Sequence, residues 1–181
     1  MPNIITYAAF EGGELNISGT EQEHVQEKVT TFITKYEADY LLKVLGYPLY
    51  KMLIAASGYP TIASGRFADL LNGSEYTDNS GYVKKWPGLK VSVANPIANY
   101  VYYHFMRDNA SFSSPVGEVK ANVMNASRTG SATKQARAWN EMVETTEQLW
   151  EFLDINADTY TEFDLNQTKY KDFSPTNSLN I

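Results

Sequence analysis

The apolar positions of this chain recur mostly at helical spacing. Val25, Val29, Phe32, Ile33, Tyr36, Tyr40 and Val44 mark one face of a long amphipathic helix. Thr20 and Glu23 have capping-box spacing, which predicts a start at Thr20, and Gly46 predicts the stop. Pro48 suits the first position of a second helix through Leu49, Met52, Leu53 and Ala56. A third helix is expected from about Thr61 to Leu71, closed by Asn72-Gly73. Glu75-Tyr76-Thr77 and Tyr82-Val83-Lys84 flank Asp78-Asn79-Ser80-Gly81, the pattern of a small β-hairpin over about 75–84.

Helical spacing resumes at Leu89, Val93, Ile97, Tyr100, Val101, His104 and Phe105. Pro96 within it predicts a kink or a join between two pieces. Residues 109–130 are polar and aperiodic, which reads as a long loop. The last long helix is expected from about Ser131 to Leu153, with Ala136, Trp139, Met142, Val143, Leu149, Trp150 and Leu153 inward. The expected architecture is therefore mainly α: a bundle of about four to five helices, a small β-hairpin and extended loop and terminal arms. Its divisions are an extended leader (1–19), a helical domain (20–155) and a C-terminal arm (156–181).

Composition narrows what such a domain does. With 181 residues and no cysteine, it is long enough to bury a core without disulfides, and thiol chemistry and Cys-type zinc sites are excluded. The net charge of −6, with Lys and Arg scattered along the chain, argues against gripping a phosphate backbone. No apolar run approaches membrane-spanning length, and no basic region followed by an apolar stretch predicts a secretory signal. Thirteen Tyr and eight Phe supply side chains that suit interfaces as well as cores.

Candidate chemistry is sparse. His104 has Tyr100 one turn before it and Asp108 one turn after, so only Asp108 could share a metal with it; a packed histidine is the expectation. His24 opens an exposed helix. Glu141, Glu144, Glu147, Glu151 and Asp154 form an acidic stripe on the last helix. Such a stripe is more often a solvated face than a carboxylate pair for acid–base work. In a ring-shaped assembly it could instead line a channel and repel DNA. Neither Ser113–Gly117 nor Arg128–Ser131 is a phosphate-cradling loop, and no Gly-x-Ser-x-Gly elbow occurs. No catalytic residue, cofactor site or metal site is expected, and the chain is read as a non-enzyme.

Several segments, taken in order, resemble the head–tail connector (adaptor or neck) proteins of tailed bacteriophages, of the kind found in phages and prophages of Bacteroidetes. They are Phe32–Glu37, Tyr40–Tyr50, Phe67–Gly73, Lys85–Lys90, Ala98–Tyr103 and Ala138–Met142, covering about residues 28–153. The resemblance implies a virion protein, made in the host cytoplasm, of which about twelve copies form a ring beneath the portal. Such a ring contacts the portal protein and the tail or further neck proteins. It leaves a channel for genomic DNA without sequence-specific binding, and has no membrane partner. On that reading Tyr160, Phe163, Tyr170 and Phe173 belong to an assembly arm that orders on neighbours and is dispensable for folding. The alternative is a monomeric helical binding or regulatory module with a Tyr/Trp-lined pocket.

Overall fold

The structure, a computed structural model, describes residues 2–109, 112–114, 117–119 and 131–176. It is mainly α. Helix α1 spans Glu23–Ala55 and bends at Gly46, whose φ of 72° and ψ of 158° break the helical path. The expected pair of helices is present, joined at this break, with Pro48 opening the second piece. Helix α2 is Arg66–Asn72, strands β1 (Ser74–Thr77) and β2 (Val83–Trp86) form the hairpin, and α3 is Pro96–Asp108. Strands β3 (Phe112–Ser114) and β4 (Gly117–Val119) pair antiparallel within the stretch expected to be a loop. Helix α4 is Ser131–Ile155.

Three helix starts differ from expectation. Helix α1 begins three residues after Thr20, which is buried and serves no side-chain cap. A turn closed by Gln22 N–H on the Gly19 carbonyl comes first, and the Thr20 carbonyl accepts from Gln26 Nε2 at 2.8 Å. Helix α3 begins at Pro96 rather than being kinked by it. Asn95 caps it, accepting from Ala98 N–H at 2.9 Å, and its amide holds the carbonyls of Leu89 and Val91 at 3.0 and 2.8 Å. Those bonds bend residues 89–95 back toward the cap, so their apolar spacing never becomes a helix. Residues 61–65 are likewise non-helical, and α2 starts after Gly65.

Helix α3 is the centre of the core, packed on α4 and α1, with Ile97, Tyr100, Val101, Tyr102 and Phe105 buried. The hairpin pairs Ser74 with Trp86 and Thr77 with Val83. Trp86 anchors it: the indole is fully buried, donates to the Leu70 carbonyl at 2.9 Å and stacks on Phe152 of α4. Leu89 and Lys90 N–H groups donate to the Leu70 and Leu71 carbonyls, drawing the chain past Gly73 and Gly88. There a Cβ on Gly88 would lie 2.5 Å from Gly73 N, so only glycine permits the crossing.

The leader and the tail are not free arms. Ile5, Phe10 and Ile17 are core residues, and the leader contains a 3-10 turn, Tyr7–Phe10. Tyr160 and Phe173, expected on an assembly arm, are buried in this chain's own core. Phe163 is half-buried against it, and Tyr170 meets Trp150 edge-on at 6.5 Å. The physical reason is aromatic burial: Phe173 lies parallel to Trp139 and edge-on to Trp150, two indoles α4 leaves partly uncovered. Backbone bonds complete the dock, with Lys169 N–H donating to the Lys43 carbonyl at 2.8 Å and Trp139 Nε1 to the Ser174 carbonyl at 2.8 Å.

Candidate functional site

The acidic helix resolves into three exposed carboxylates and two tethered ones. Glu144, Glu147 and Asp154 are exposed and belong to no ion pair among the described residues. Glu141 is half-buried: Asn99 Nδ2 donates to it at 3.3 Å, and Arg137 Nε stands 3.7 Å away. Glu151 is paired with Lys84 of β2, which also lies 3.4 Å from Asp78. Helical spacing placed all five on α4 but could not show that α3 and the hairpin reach two of them.

Exposed apolar side chains occur at the hairpin and at the bend of α1, and singly at Val93, Leu165 and Tyr170. At the hairpin, Tyr82 is 70% and Val83 72% exposed, held out by a loop in which Asp78 Oδ1 accepts from the Ser80 and Tyr82 N–H groups at 2.9 Å each. Around the bend of α1, Tyr47 is 63% exposed, with Leu42 and Met52 also open. The bend is held from the other side by the tail, where Gln167 comes within 3.5 Å of a Cβ placed on Gly46. These two patches sit on different elements and carry different side chains.

His104 is a packed histidine. Its ring stacks on Tyr36 at 4.2 Å and meets Tyr100 edge-on at 4.5 Å. Burial pushes its pKa down to about 4, opposing the charged form, and Nε2 is buried without a hydrogen-bond partner. Asp108, its one possible metal partner by spacing, instead accepts from Tyr36 OH at 3.2 Å. Beside it, Asp39 accepts from Tyr100 OH at 2.6 Å and from Lys43 at 2.7 Å. Burial, with Asp39 adjacent, raises the Tyr100 pKa, so that phenol stays protonated and does not act as a base at neutral pH.

Sequence reasoning missed Glu37. It sits on the buried face of α1, 1% exposed, where its oxygens accept from Ile4 N–H at 2.7 Å and Ile5 N–H at 3.1 Å. Burial outweighs those two bonds and pushes its pKa up to about 7. A charged residue in register with core positions Ile33, Tyr40 and Leu41 was the available signal. Sequence reasoning also missed the Arg66–Glu162 pair, bidentate at 2.8 and 2.9 Å, which ties the tail to α2.

Among the described residues, no group of three or more His, Asp or Glu is placed to hold a metal ion, and no helix is long and apolar enough to cross a membrane. What the surface offers is a helical body bearing two unlike apolar patches and an acidic face. Compared with known protein families, characterised proteins and solved structures, the chain has no match.

Proposed function

We propose that this protein is a structural subunit of a phage head–tail connector, a ring beneath the portal through which DNA passes. The observation that supports it best is the pair of unlike exposed apolar patches, Tyr82/Val83 on the hairpin and Leu42/Tyr47/Met52 at the α1 bend. A ring closes through heterologous contacts, in which one patch of each copy meets a different patch of the next. A two-fold dimer would need only one self-complementary patch. Neither patch serves the monomer's core, so each is available for contact between copies or with the portal. In the ring Glu144, Glu147 and Asp154 face the channel and repel the DNA phosphates, as the acidic helix face allows.

The assembly elements are folded surfaces rather than the tail aromatics, since Tyr160 and Phe173 are occupied in the monomer's own core. Replacing Tyr82 and Val83 together by aspartate tests the proposal. The double variant is expected to keep the wild-type melting temperature and to lose co-sedimentation with portal rings. Undiminished co-sedimentation would remove the hairpin from the interface and the main support for the reading.

A further inference from the structure

We propose that residues 3–5 of the leader form a strap across α1 that is released by ionisation of the Glu37 carboxyl group buried beneath it. The strap precedes the Tyr7–Phe10 turn and belongs to no regular element. Among the described residues, three hydrogen bonds tie it to the body, and all three end on α1. Asn3 Nδ2 donates to Thr34 Oγ1 at 3.2 Å, and the Ile4 and Ile5 N–H groups donate to Glu37 Oε1 and Oε2 at 2.7 and 3.1 Å. One side chain is therefore the anchor of the strap's main chain.

Both carboxyl oxygens face the strap, and Glu37 is buried with the strap in place. The titratable groups that face it from elsewhere are phenols, Tyr50 of the second piece of α1 and Tyr59 of the turn that follows. The Tyr59 hydroxyl is itself buried without a hydrogen-bond partner, and no ion pair reaches Glu37 among the described residues. A buried carboxylate with no cation beside it is costly, whereas the neutral acid is not. The two N–H donors favour the charged form, but burial outweighs them and raises the pKa from 4.5 to about 7.

Opening the strap lets water reach the oxygens and returns the carboxyl to its ordinary range. The closed strap thus holds a proton that the open strap gives up. Below pH 4.5 both forms carry it, and above about 7 neither does. Between those limits the open-to-closed ratio rises about tenfold per pH unit, about 300-fold in all.

The release is local, because the rest of the leader has anchors of its own. Phe10 and Ile17 are buried, the Ile17 N–H donates to the Phe10 carbonyl at 3.1 Å, and Glu14 pairs with Arg137 at 3.2 Å. Thr6 lies between the two parts, exposed, non-helical and with its side chain capping nothing, which makes it the hinge. Ile5 is the strap's one core side chain, so opening gives up little apolar contact.

This pH-sensitive device does not depend on the connector reading. Its test is amide hydrogen exchange in the full-length protein from pH 4.5 to 8.5, each rate divided by the intrinsic rate at that pH. Protection of the Ile4 and Ile5 amides should fall about 300-fold up to about pH 7 and then level off, and that of Ile17 should not follow. In Glu37→Gln the protection of Ile4 and Ile5 should be independent of pH. The comparison of Ile5 with Ile17, and a Glu37 side-chain ¹³C titration with its midpoint near 7, need no variant and decide the matter on the wild-type protein. Protection of Ile4 and Ile5 that is flat with pH, an equal fall at Ile17, a Glu37 midpoint near 4.5, or a fall that persists in Glu37→Gln would overturn the proposal.

Discussion

Replacing Glu37 by glutamine isolates a contest between desolvation and hydrogen bonding. The Glu37 carboxyl is buried, accepts two backbone N–H groups of the leader, and has no cation beside it among the described residues. Burial raises its pKa from the ordinary 4.5 to about 7. A folded-state pKa above the unfolded one means that the folded protein binds the extra proton. Stability from this group is therefore full below pH 4.5 and is lost as pH rises through about 7. At about 1.4 kcal/mol per pKa unit, the loss is about 3 kcal/mol. His104 works in the opposite direction: its pKa, lowered from 6.5 to about 4, gives stability that is present above 6.5 and lost as pH falls toward 4. The two effects oppose each other over an overlapping range, so the wild-type curve alone is nearly uninformative. The difference between Glu37→Gln and wild type removes the His104 contribution. Urea unfolding at pH 4.5, 6 and 8 should show the variant gaining about 3 kcal/mol relative to wild type from the lowest pH to the highest. A relative loss over the same range would mean that the two N–H donors, not burial, govern the carboxylate, and would refute the reasoning.

The remaining predictions concern the fold. Gly88→Ala, whose Cβ would meet backbone at 2.5–2.7 Å, should cost about 3 kcal/mol or more, whereas Gly81→Ala, at similar φ in open space, should cost about 1 kcal/mol; equal costs by chemical denaturation would refute the crossing. Removing the tail from Asn156, or Phe173→Ala by about 3 kcal/mol, should lower thermal stability, because Tyr160 and Phe173 complete the core; an unchanged melting temperature would restore the free-arm reading. His104 imidazole resonances should titrate near pH 4 rather than 6.5, and a normal midpoint would mean that the Tyr36–His104 stack opens in solution.

The long helices were legible because their apolar positions repeat over many turns, as from Val25 to Val44, and Gly46 marked the bend. The hairpin was legible because Asp78–Gly81 carries turn residues between β-forming ones. What the pattern missed depends on tertiary partners. Leu89, Val93 and Ile97 have helical spacing, yet the Asn95 amide takes the carbonyls of Leu89 and Val91, and Val93 is left exposed. The tail has no periodicity to read, and its fate is decided by uncovered faces of Trp139 and Trp150, which no local pattern records.

The central claim is that this chain caps a portal as a ring, and electron microscopy of the protein mixed with the portal protein encoded nearest to its gene tests it most directly. The account predicts a second ring of density beneath the portal, with the hairpin of each copy at the contact with the next. Bare portal particles, with this chain monomeric at every salt concentration, would contradict it and leave a binding module in its place.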